Sequence, residues 1–358
     1  MRSILMLENG AVWEGQTLGV PGEVHGEVVF NTSMTGYQDI IVDPSYHGEI
    51  LMLTYPLIGN YGISKAVLTS ERPHARGLVV SEASSTPSHW QSGGMLASFM
   101  QKHDMVGISG LDTRALTCML RDQGTMKGAI ASGDVDSSGL LARIVAAPDI
   151  SSQDLVSAVT TTQPFMEHRG DGKRIVIFDF GAKRNILQHL KTKACRIAVV
   201  PASTSAEAIL ALRPDGVLLT SGPGDPKTSQ GIIETAARLI GAVPLLGIGL
   251  GHQILALALG ADTFKLTHGH RGANHPVMDL QTNRVLITSQ NHGFAVDERG
   301  LPSELVITHR SLHDETIEGL RHKYLNVSSV QYDPLTSPDS LPECCLVDRF
   351  LSELQRSA

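Results

Sequence analysis

The amino-acid sequence predicts an α/β C-terminal domain with a mostly parallel sheet, preceded by a mixed α+β N-terminal domain. The chain has 358 residues, which suits two domains better than one. Strand and helix patterns alternate regularly only in its second half, as they do in a parallel sheet. Between the halves, hydrophobic periodicity gives way to Ser, Thr, Gln and Pro. We therefore predict domains over residues 1–150 and 173–358, joined by a linker over residues 151–172.

The N-terminal half shows short strand patterns and scattered helical patterns without regular alternation. Asn9-Gly10 lies between two apolar runs, which is a strong hairpin signal. Period-two runs predict strands and i, i+3, i+4 spacing predicts helices. The predicted strands cover residues 4–7, 11–13, 27–30, 50–54 and 78–80, and the predicted helices cover residues 96–102, 112–121 and 140–145.

In the C-terminal half, each apolar strand pattern is followed by a helical pattern. The predicted strands cover residues 174–179, 196–200, 216–219 and 243–248, and the helices cover residues 183–191, 205–212 and 232–240, with a further helix beginning at Leu250. In such sheets, ligands bind at the carboxyl ends of the strands. Glycine-rich turns at residues 221–226 and 247–251 follow two of these strands. The sequence therefore predicts a binding site at that edge.

Composition and charge exclude several functional classes. The hydrophobic fraction of 42% and the charged fraction of 18% are those of a globular protein. A formal charge of -7 and the lack of Lys/Arg clusters argue against nucleic acid or a membrane surface as a partner. The chain has four cysteines without C-x-x-C spacing, which favours a reducing compartment. Since no apolar run resembles a signal peptide or a membrane span, we predict a soluble, cytoplasmic protein.

The turn Gly247-x-Gly249-x-Gly251 joins a predicted strand directly to a predicted helix. This is the sequence form of a nucleophile elbow, in which small neighbours allow one central side chain to project. The central residue is Gly249, which has no atom that can attack a substrate. A dinucleotide-binding loop is a competing interpretation, but its fingerprint is G-x-G-x-x-G and position 252 is histidine.

The chain resembles the small, glutamine-handling subunit of carbamoyl phosphate synthetases over nearly its whole length. The segments that carry the resemblance are VVFNTSMTGYQ (28–38), DPSY (43–46), TYPLIGN (54–60), DTR (112–114), FDFGAK (178–183), GPGDP (222–226), GIGLGHQ (247–253), GANHP (272–276) and QNHGFAV (290–296). The resemblance implies a glutamine amidotransferase-like C-terminal domain. It also implies a large synthetase subunit as partner, which uses ATP and bicarbonate to make carbamoyl phosphate for arginine or pyrimidine synthesis.

The resemblance also implies which residues bind glutamine. The positions that match the family's glutamine-binding residues are Ser45, Gly222, Gly224, Leu250, Gln253, Asn291, Gly293 and Phe294. The backbone N–H groups of Gly224 and Leu250 would be the oxyanion donors, because two convergent N–H groups stabilise a tetrahedral oxygen. No G-x-x-x-x-G-K-[ST] loop occurs, so we expect no cofactor in this chain, with ATP and metal on the large subunit.

Three catalytic positions depart from the family pattern together. The family has cysteine at the elbow, where this chain has Gly249. The family's Gln-x-His-Pro-Glu segment corresponds here to QYDPL, so Asp333 replaces the histidine and Leu335 replaces the glutamate. No other thiol is well placed: Cys195 precedes a strand at the opposite sheet edge, Cys118 lies in the other domain, and Cys344 and Cys345 follow QYDPL by about ten residues.

Two functional interpretations remain open within this family. The first is a subunit that lacks glutaminase activity and serves as a glutamine-binding, scaffold or regulatory subunit. The second is an active, glutamine-hydrolysing amidotransferase subunit that works by another chemistry.

His268, His270 and His275 form a histidine group, but they lie in a Gly/Asn-rich segment without paired carboxylates nearby, which favours a structural loop over a metal site. We therefore predict no metal in this chain.

Overall fold

The chain folds into two units, Met1–Gln153 and Asp154–Ala358, each with its own apolar core. The computed structural model describes residues 1–64, 70, 72–336 and 346–354, so Cys344 and Cys345 lie outside the described residues. Within that part of the chain, none of the helices has the length and apolar character needed to cross a membrane.

The N-terminal unit contains nine strands and four α-helices among its described residues. The strands are β1 (Arg2–Leu7), β2 (Val12–Gly19), β3 (Glu23–Asn31), β4 (Glu49–Leu53), β5 (Leu57–Ile58), β6 (Gly77–Val80), β7 (Glu82–Ala83), β8 (Val106–Ser109) and β9 (Met126–Ser132). The helices are α1 (Tyr37–Ile41), α2 (Leu96–Lys102), α3 (Thr113–Gln123) and α4 (Ser137–Ala146). Seven strands form a closed barrel in the order β1-β2-β8-β6-β4-β3-β9.

Alternation along β1 explains how the barrel is packed on both of its faces. Leu5 and Leu7 belong to one buried cluster, whereas Ile4 and Met6 pack in another with Leu140 of α4. Successive strand side chains point to opposite faces, so an uninterrupted apolar strand needs a partner layer on each side. This half contains both strands and helices, as predicted, but the sequence pattern did not indicate that the strands close into a barrel.

The C-terminal unit is built around one ten-stranded sheet. Its strands are β10 (Phe165–Arg169), β11 (Arg174–Asp179), β12 (Arg196–Pro201), β13 (Gly216–Leu219), β14 (Leu245–Ile248), β15 (Asp262–Asp279), β16 (Arg284–Asp297), β17 (Leu305–Ser311), β18 (Ile317–His322) and β19 (Val327–Val330). Its described helices are α5 (Arg184–Thr192), α6 (Ala206–Ala211), α7 (Gln230–Leu239), α8 (Leu250–Ala258) and α9 (Leu346–Glu353). The strand order is β10-β12-β11-β13-β14-β19-β18-β16-β15-β17.

The prediction of a mostly parallel sheet is correct only for the centre of this sheet. Strands β12, β11, β13, β14 and β19 pair in parallel, but β10, β15, β16, β17 and β18 pair antiparallel with their neighbours. The parallel strands are apolar on both faces: Val176 and Phe178 pack on one side of β11, and Ile175 and Ile177 on the other. This double burial is what helices on both faces of a sheet require.

Two further segments differ from the sequence prediction. Residues 154–172 were expected as linker, but they belong to the second unit, where β10 pairs with β12. The loop expected around His268, His270 and His275 is instead part of the 18-residue strand β15. Glycine, asparagine and proline have low strand propensity, but pairing along β16 overrides it. Two register shifts in that pairing accommodate the glycines.

Candidate functional site

The elbow forms as the sequence predicted, at the carboxyl end of β14. Gly249 is the cap residue between β14 and α8, with φ 58° and ψ -114°. Its N–H donates to Val330 O at 2.9 Å, which ties the turn to the end of the neighbouring strand β19. A Cβ at this position would lie 3.0 Å from Ser221 Cβ, closer than ordinary van der Waals contact. The backbone conformation and the confined space both favour glycine here.

The two glycine-rich turns lie against each other at this edge. A Cβ on Gly222 would come within 2.4 Å of Phe180 O and 2.9 Å of Leu250 Cδ2, so only glycine fits between them. Leu250 is the first residue of α8, and N–H groups in the first turn of a helix have no partner within the helix. Gly224, with φ 87°, packs against Leu155. The structure thus brings Gly222 and the predicted oxyanion donor Leu250 together.

Gln253 and Phe294 are in direct contact. Gln253 is buried, and its Nε2 donates to Phe294 O at 2.7 Å and to Gln331 Oε1 at 2.9 Å. His292 Nδ1 donates to the same Phe294 carbonyl at 2.8 Å. Complete burial lowers the pKa of His292 well below its usual value, so the ring is neutral. These contacts make Gln253 and His292 supports for the backbone at Phe294, where the glutamine site was predicted.

The remaining predicted glutamine-binding residues lie on β16 and in the N-terminal unit. Asn291 is opposite Arg271 in the β15–β16 register, and the Arg271 guanidinium also lies 3.2 Å from the Cβ position of Gly293. Ser45 is buried in a short 3₁₀ turn of the N-terminal unit, where its N–H donates to Asp43 Oδ1 at 2.9 Å. Its place in a glutamine pocket stays a prediction.

Asp333, which the sequence resemblance predicts to replace the family's histidine, has cationic and amide partners. Its Oδ2 lies 3.3 Å from Lys183 Nζ and 3.4 Å from Asn185 Nδ2, and its Oδ1 accepts from Leu335 N at 3.0 Å. The Lys183 and Asp333 side chains are 19% and 13% exposed, so solvent screens this ion pair only partly. The aspartate is therefore held by its neighbours rather than presented as an isolated base.

A small cavity lies beside Asp333 at the carboxyl edge of the sheet. Its volume is about 20 Å³, and the residues that line it include Ser221, Ile248, Lys183 and Asp333. This volume is near the minimum that holds one water molecule. The side chain of Leu335, which was predicted to replace the family's glutamate, packs against the apolar cluster that contains Ile248 and residues of α5 and α9. Leu335 is thus a packing residue.

Sequence reasoning treated Lys183 as a helix-start residue and did not consider Asn185. Lys183 caps α5 just after β11, and Asp333 follows β19. Both strands belong to the parallel part of the sheet, so residues after their carboxyl ends meet at one edge. That topological rule could have indicated the ion pair. No comparable signal pointed to the contact of Gln253 with Gln331, which depends on the detailed packing of α8 against β19.

Comparisons with known proteins give the same assignment for both halves. Residues 5–130 match the carbamoyl-phosphate synthase small chain CPSase domain, and residues 176–341 match the class-I glutamine amidotransferase domain. The chain is 46% identical to the carbamoyl phosphate synthase small chain of Syntrophotalea carbinolica, with 100% of this chain and 99% of the relative covered. It is 48% identical to that of Symbiobacterium thermophilum, with 98% of each chain covered.

A third relative is the carbamoyl phosphate synthase pyrimidine-specific small chain of Halalkalibacterium halodurans, which is 47% identical over 99% of this chain and 98% of its own length. These matches extend across both units and leave almost no part of either protein uncovered. With both domain families present in the expected order, the chain belongs to the carbamoyl phosphate synthase small-chain family.

Proposed function

We propose that this chain is a small subunit that binds glutamine without hydrolysing it, and that it acts as a glutamine-binding, scaffold or regulatory subunit of a carbamoyl phosphate synthetase. The observation that carries the proposal is Gly249 at the centre of a well-formed elbow. Nucleophilic hydrolysis of an amide needs an attacking atom at that place, and a glycine hydrogen is not one.

The surroundings of Gly249 support the same conclusion. Asp333 stands where the family has its general base, and its carboxylate already accepts from Lys183 and Asn185. A carboxylate is ordinarily a weaker base than imidazole, and effective general bases have pKa values near the working pH. Leu335 offers no group to orient a base. Nucleophile, base and orienting residue are thus all replaced by residues with structural partners.

Glutamine binding is supported by the groups that remain. The N–H groups at Leu250 and Gly224, the Phe294 backbone and the amide of Asn291 are at the positions that match the family's glutamine-binding residues. Because Gln253 donates to the Phe294 carbonyl, its contribution to affinity would be to position that backbone. Ground-state binding and bond cleavage depend on different groups, so affinity should survive the loss of catalysis.

The partner of this subunit would be a large synthetase subunit, since the small-chain family implies one. We propose that ATP and metal bind that large subunit, and that the carbamoyl phosphate serves arginine or pyrimidine synthesis. The nitrogen would come from free ammonia or from glutamine that another subunit hydrolyses. A cytoplasmic location belongs to the same proposal and is supported by the absence of C-x-x-C spacing in the sequence.

Glutamine-dependent release of ammonia, measured with the purified chain alone and with its large subunit, tests the proposal. We expect no release above background in either case, whereas the complex should make carbamoyl phosphate from added ammonia. A family member with Cys, His and Glu at the three catalytic positions is the positive control. Sustained glutamine hydrolysis by this chain would refute the proposal and favour an active amidotransferase with unrecognised chemistry.

A further inference from the structure

A buried group of two histidines and one glutamate lies in the C-terminal unit, apart from the degenerate triad. His270 on β15 and His292 on β16 are directly opposite each other in the strand register, and Glu318 is on the adjacent strand β18. One potential ligand atom from each residue lies within 4.8 Å of the other two. All three residues are buried, and Glu318 is completely inaccessible to solvent.

The potential ligand atoms of the three residues converge at the centre of this group. Among the described residues, Glu318 Oε1 and His270 Nδ1 have no hydrogen-bond partner, and they face each other at 3.5 Å. His292 Nε2 lies 3.8 Å from the same Glu318 oxygen. Buried polar atoms without partners are rare, because each costs about 1–3 kcal/mol when it loses water without replacement. At 3.5 Å these two atoms form an ion pair when His270 is protonated, and a cation in place of that proton would give both of them a partner.

The contacts of Gln290 strengthen this indication. His292 donates through Nδ1 to Phe294 O, so the Nε2 of its neutral ring carries a lone pair. Gln290 Oε1 lies 3.0 Å from that Nε2, while Gln290 Nε2 donates to Glu318 Oε2 at 2.8 Å. Two acceptors therefore face each other across 3.0 Å. A cation between them would turn this repulsion into two coordinate bonds.

Each candidate ligand is held by an outer partner through its other polar atom. Asp314 Oδ2 lies 2.9 Å from His270 Nε2, the Phe294 carbonyl accepts from His292, and Gln290 donates to Glu318. A carboxylate or carbonyl on the far nitrogen of a histidine fixes the tautomer that ligates a metal. The carboxylates of Asp314 and Glu318 would together balance the charge of a divalent cation.

We propose that His270 Nδ1, His292 Nε2 and Glu318 Oε1 bind a divalent transition metal, with Zn²⁺ the preferred ion, and that Gln290 Oε1 is placed to be the fourth ligand. Two imidazoles and one carboxylate form a ligand set that Zn²⁺ accepts. In a tetrahedral site with bonds of about 2.1 Å, ligand atoms are about 3.4 Å apart. The separations of Glu318 Oε1 from His270 Nδ1 and His292 Nε2, 3.5 and 3.8 Å, need only a small contraction, and all three ligand atoms lie within 4.8 Å of one another. The 3.0 Å between Gln290 Oε1 and His292 Nε2 would have to widen slightly.

The metal would join three neighbouring strands beneath the predicted glutamine site. His292 and Gln253 both donate to the Phe294 carbonyl, so the metal would fix the backbone at Phe294 through His292. Ion entry is possible from the side of Asp314, whose side chain is 38% exposed. His275 and His313 lie in ring contact on that side, although neither belongs to the ligand set.

The test is a metal titration of the full-length chain after removal of metals with a chelator. We expect one equivalent of Zn²⁺ or Co²⁺ per chain, visible absorption bands of a four-coordinate Co²⁺ site, and X-ray absorption showing only nitrogen and oxygen ligands. Glu318→Gln keeps the side-chain shape and an acceptor for Gln290, and it should weaken Zn²⁺ binding by about 100-fold or more. Asp314→Asn should weaken it by about 10–100-fold.

The matched control is His313→Asn, which removes an exposed histidine outside the ligand set and should leave the affinity unchanged. Urea unfolding in the presence of chelator checks that each variant is folded. If Glu318→Gln does not fold, the metal site is tested by the Zn²⁺ affinity of Asp314→Asn and by the Co²⁺ spectrum of the parent chain. The proposal is overturned if the parent binds no stoichiometric metal, or if His313→Asn weakens binding as much as Glu318→Gln does.

Discussion

Replacing Gly249 by alanine should destabilise the C-terminal unit, even though the position is expected to have lost its catalytic role. With φ 58°, a residue bearing a Cβ would incur about 1–3 kcal/mol of backbone strain. The Cβ would also lie 3.0 Å from Ser221 Cβ, and overpacking of this kind costs about 1–3 kcal/mol. The entropic benefit of removing a glycine offsets about 0.4–1 kcal/mol. We expect a net loss of about 2–4 kcal/mol.

Two other glycines of the same unit provide controls. Gly300, with φ 76°, has open space around its Cβ position, so Gly300→Ala should show the strain of a positive φ without the steric contact. Gly231 lies in α7 with open space and no positive φ, so Gly231→Ala should be neutral or stabilising by up to about 1 kcal/mol. The order of stability should therefore be Gly231→Ala, Gly300→Ala and then Gly249→Ala.

Thermal and urea unfolding would measure these differences. For a unit of this size, 1 kcal/mol corresponds to about 2–4 °C in Tm, so Gly249→Ala should lower Tm by about 4–16 °C. A Gly249→Ala protein within about 0.5 kcal/mol of the parent would refute the argument from strain and contact. Such a result would mean that the turn accepts a side chain freely, and that stability does not explain why glycine occupies this position.

Three further predictions concern charge and reactivity. Lys183→Met should destabilise the chain by about 1–3 kcal/mol in urea unfolding, because it removes the lysine that pairs with the largely buried Asp333 carboxylate. The double variant Lys183→Met/Asp333→Asn should recover part of that loss, and equal stability of the parent and the single variant would contradict the prediction. Burial lowers the pKa of His309 to about 4 and that of His252 to about 3 in the folded chain. Below pH ~6.5 the unfolded chain therefore binds more protons than the folded chain, and the free energy of unfolding should fall as the pH decreases from 6.5 towards 4. His309→Gln should make that decrease shallower, and a flat profile in the parent would show that these rings are not buried neutral. Diazo-ketone analogues of glutamine should form no covalent adduct in the peptide of residues 246–253, as judged by mass spectrometry, and stoichiometric labelling there would reveal a nucleophile that the elbow lacks.

Local sequence signals predicted those features that depend on neighbouring residues. The Asn9-Gly10 turn does connect β1 to β2, with Gly10 at φ 84°. Ser205 and Asp112, the first residues of two predicted helices, are the N-cap residues of α6 and α3. The strand-to-helix turn at Gly249 follows from glycine spacing alone. In the hairpin and at the helix caps, the hydrogen bonds that define the feature join residues close together in the chain, so the local sequence contains the necessary information.

Features that depend on distant residues were not predictable in the same way. Closure of the barrel needs β9 to pair with both β1 and β3, and no periodic pattern specifies that choice. The glycines and the His-Gly-His sequence of β15 looked like a loop because their strand pairing comes from β16. Glu318 was not considered a ligand candidate, since its proximity to His270 and His292 arises only when three strands align. Tertiary pairing overrode local propensity at these positions.

Glutamine binding without hydrolysis is tested most directly by one calorimetric titration of glutamine into the purified parent chain. Binding without hydrolysis predicts a saturable heat that returns to baseline after each injection, with an affinity within about an order of magnitude of a small chain that has an intact triad. Gln253→Ala should reduce that heat, because the Phe294 backbone loses a donor. Heat flow that persists until glutamine is consumed would show hydrolysis and contradict the proposed loss of glutaminase activity, and the absence of any heat would eliminate the glutamine-binding role.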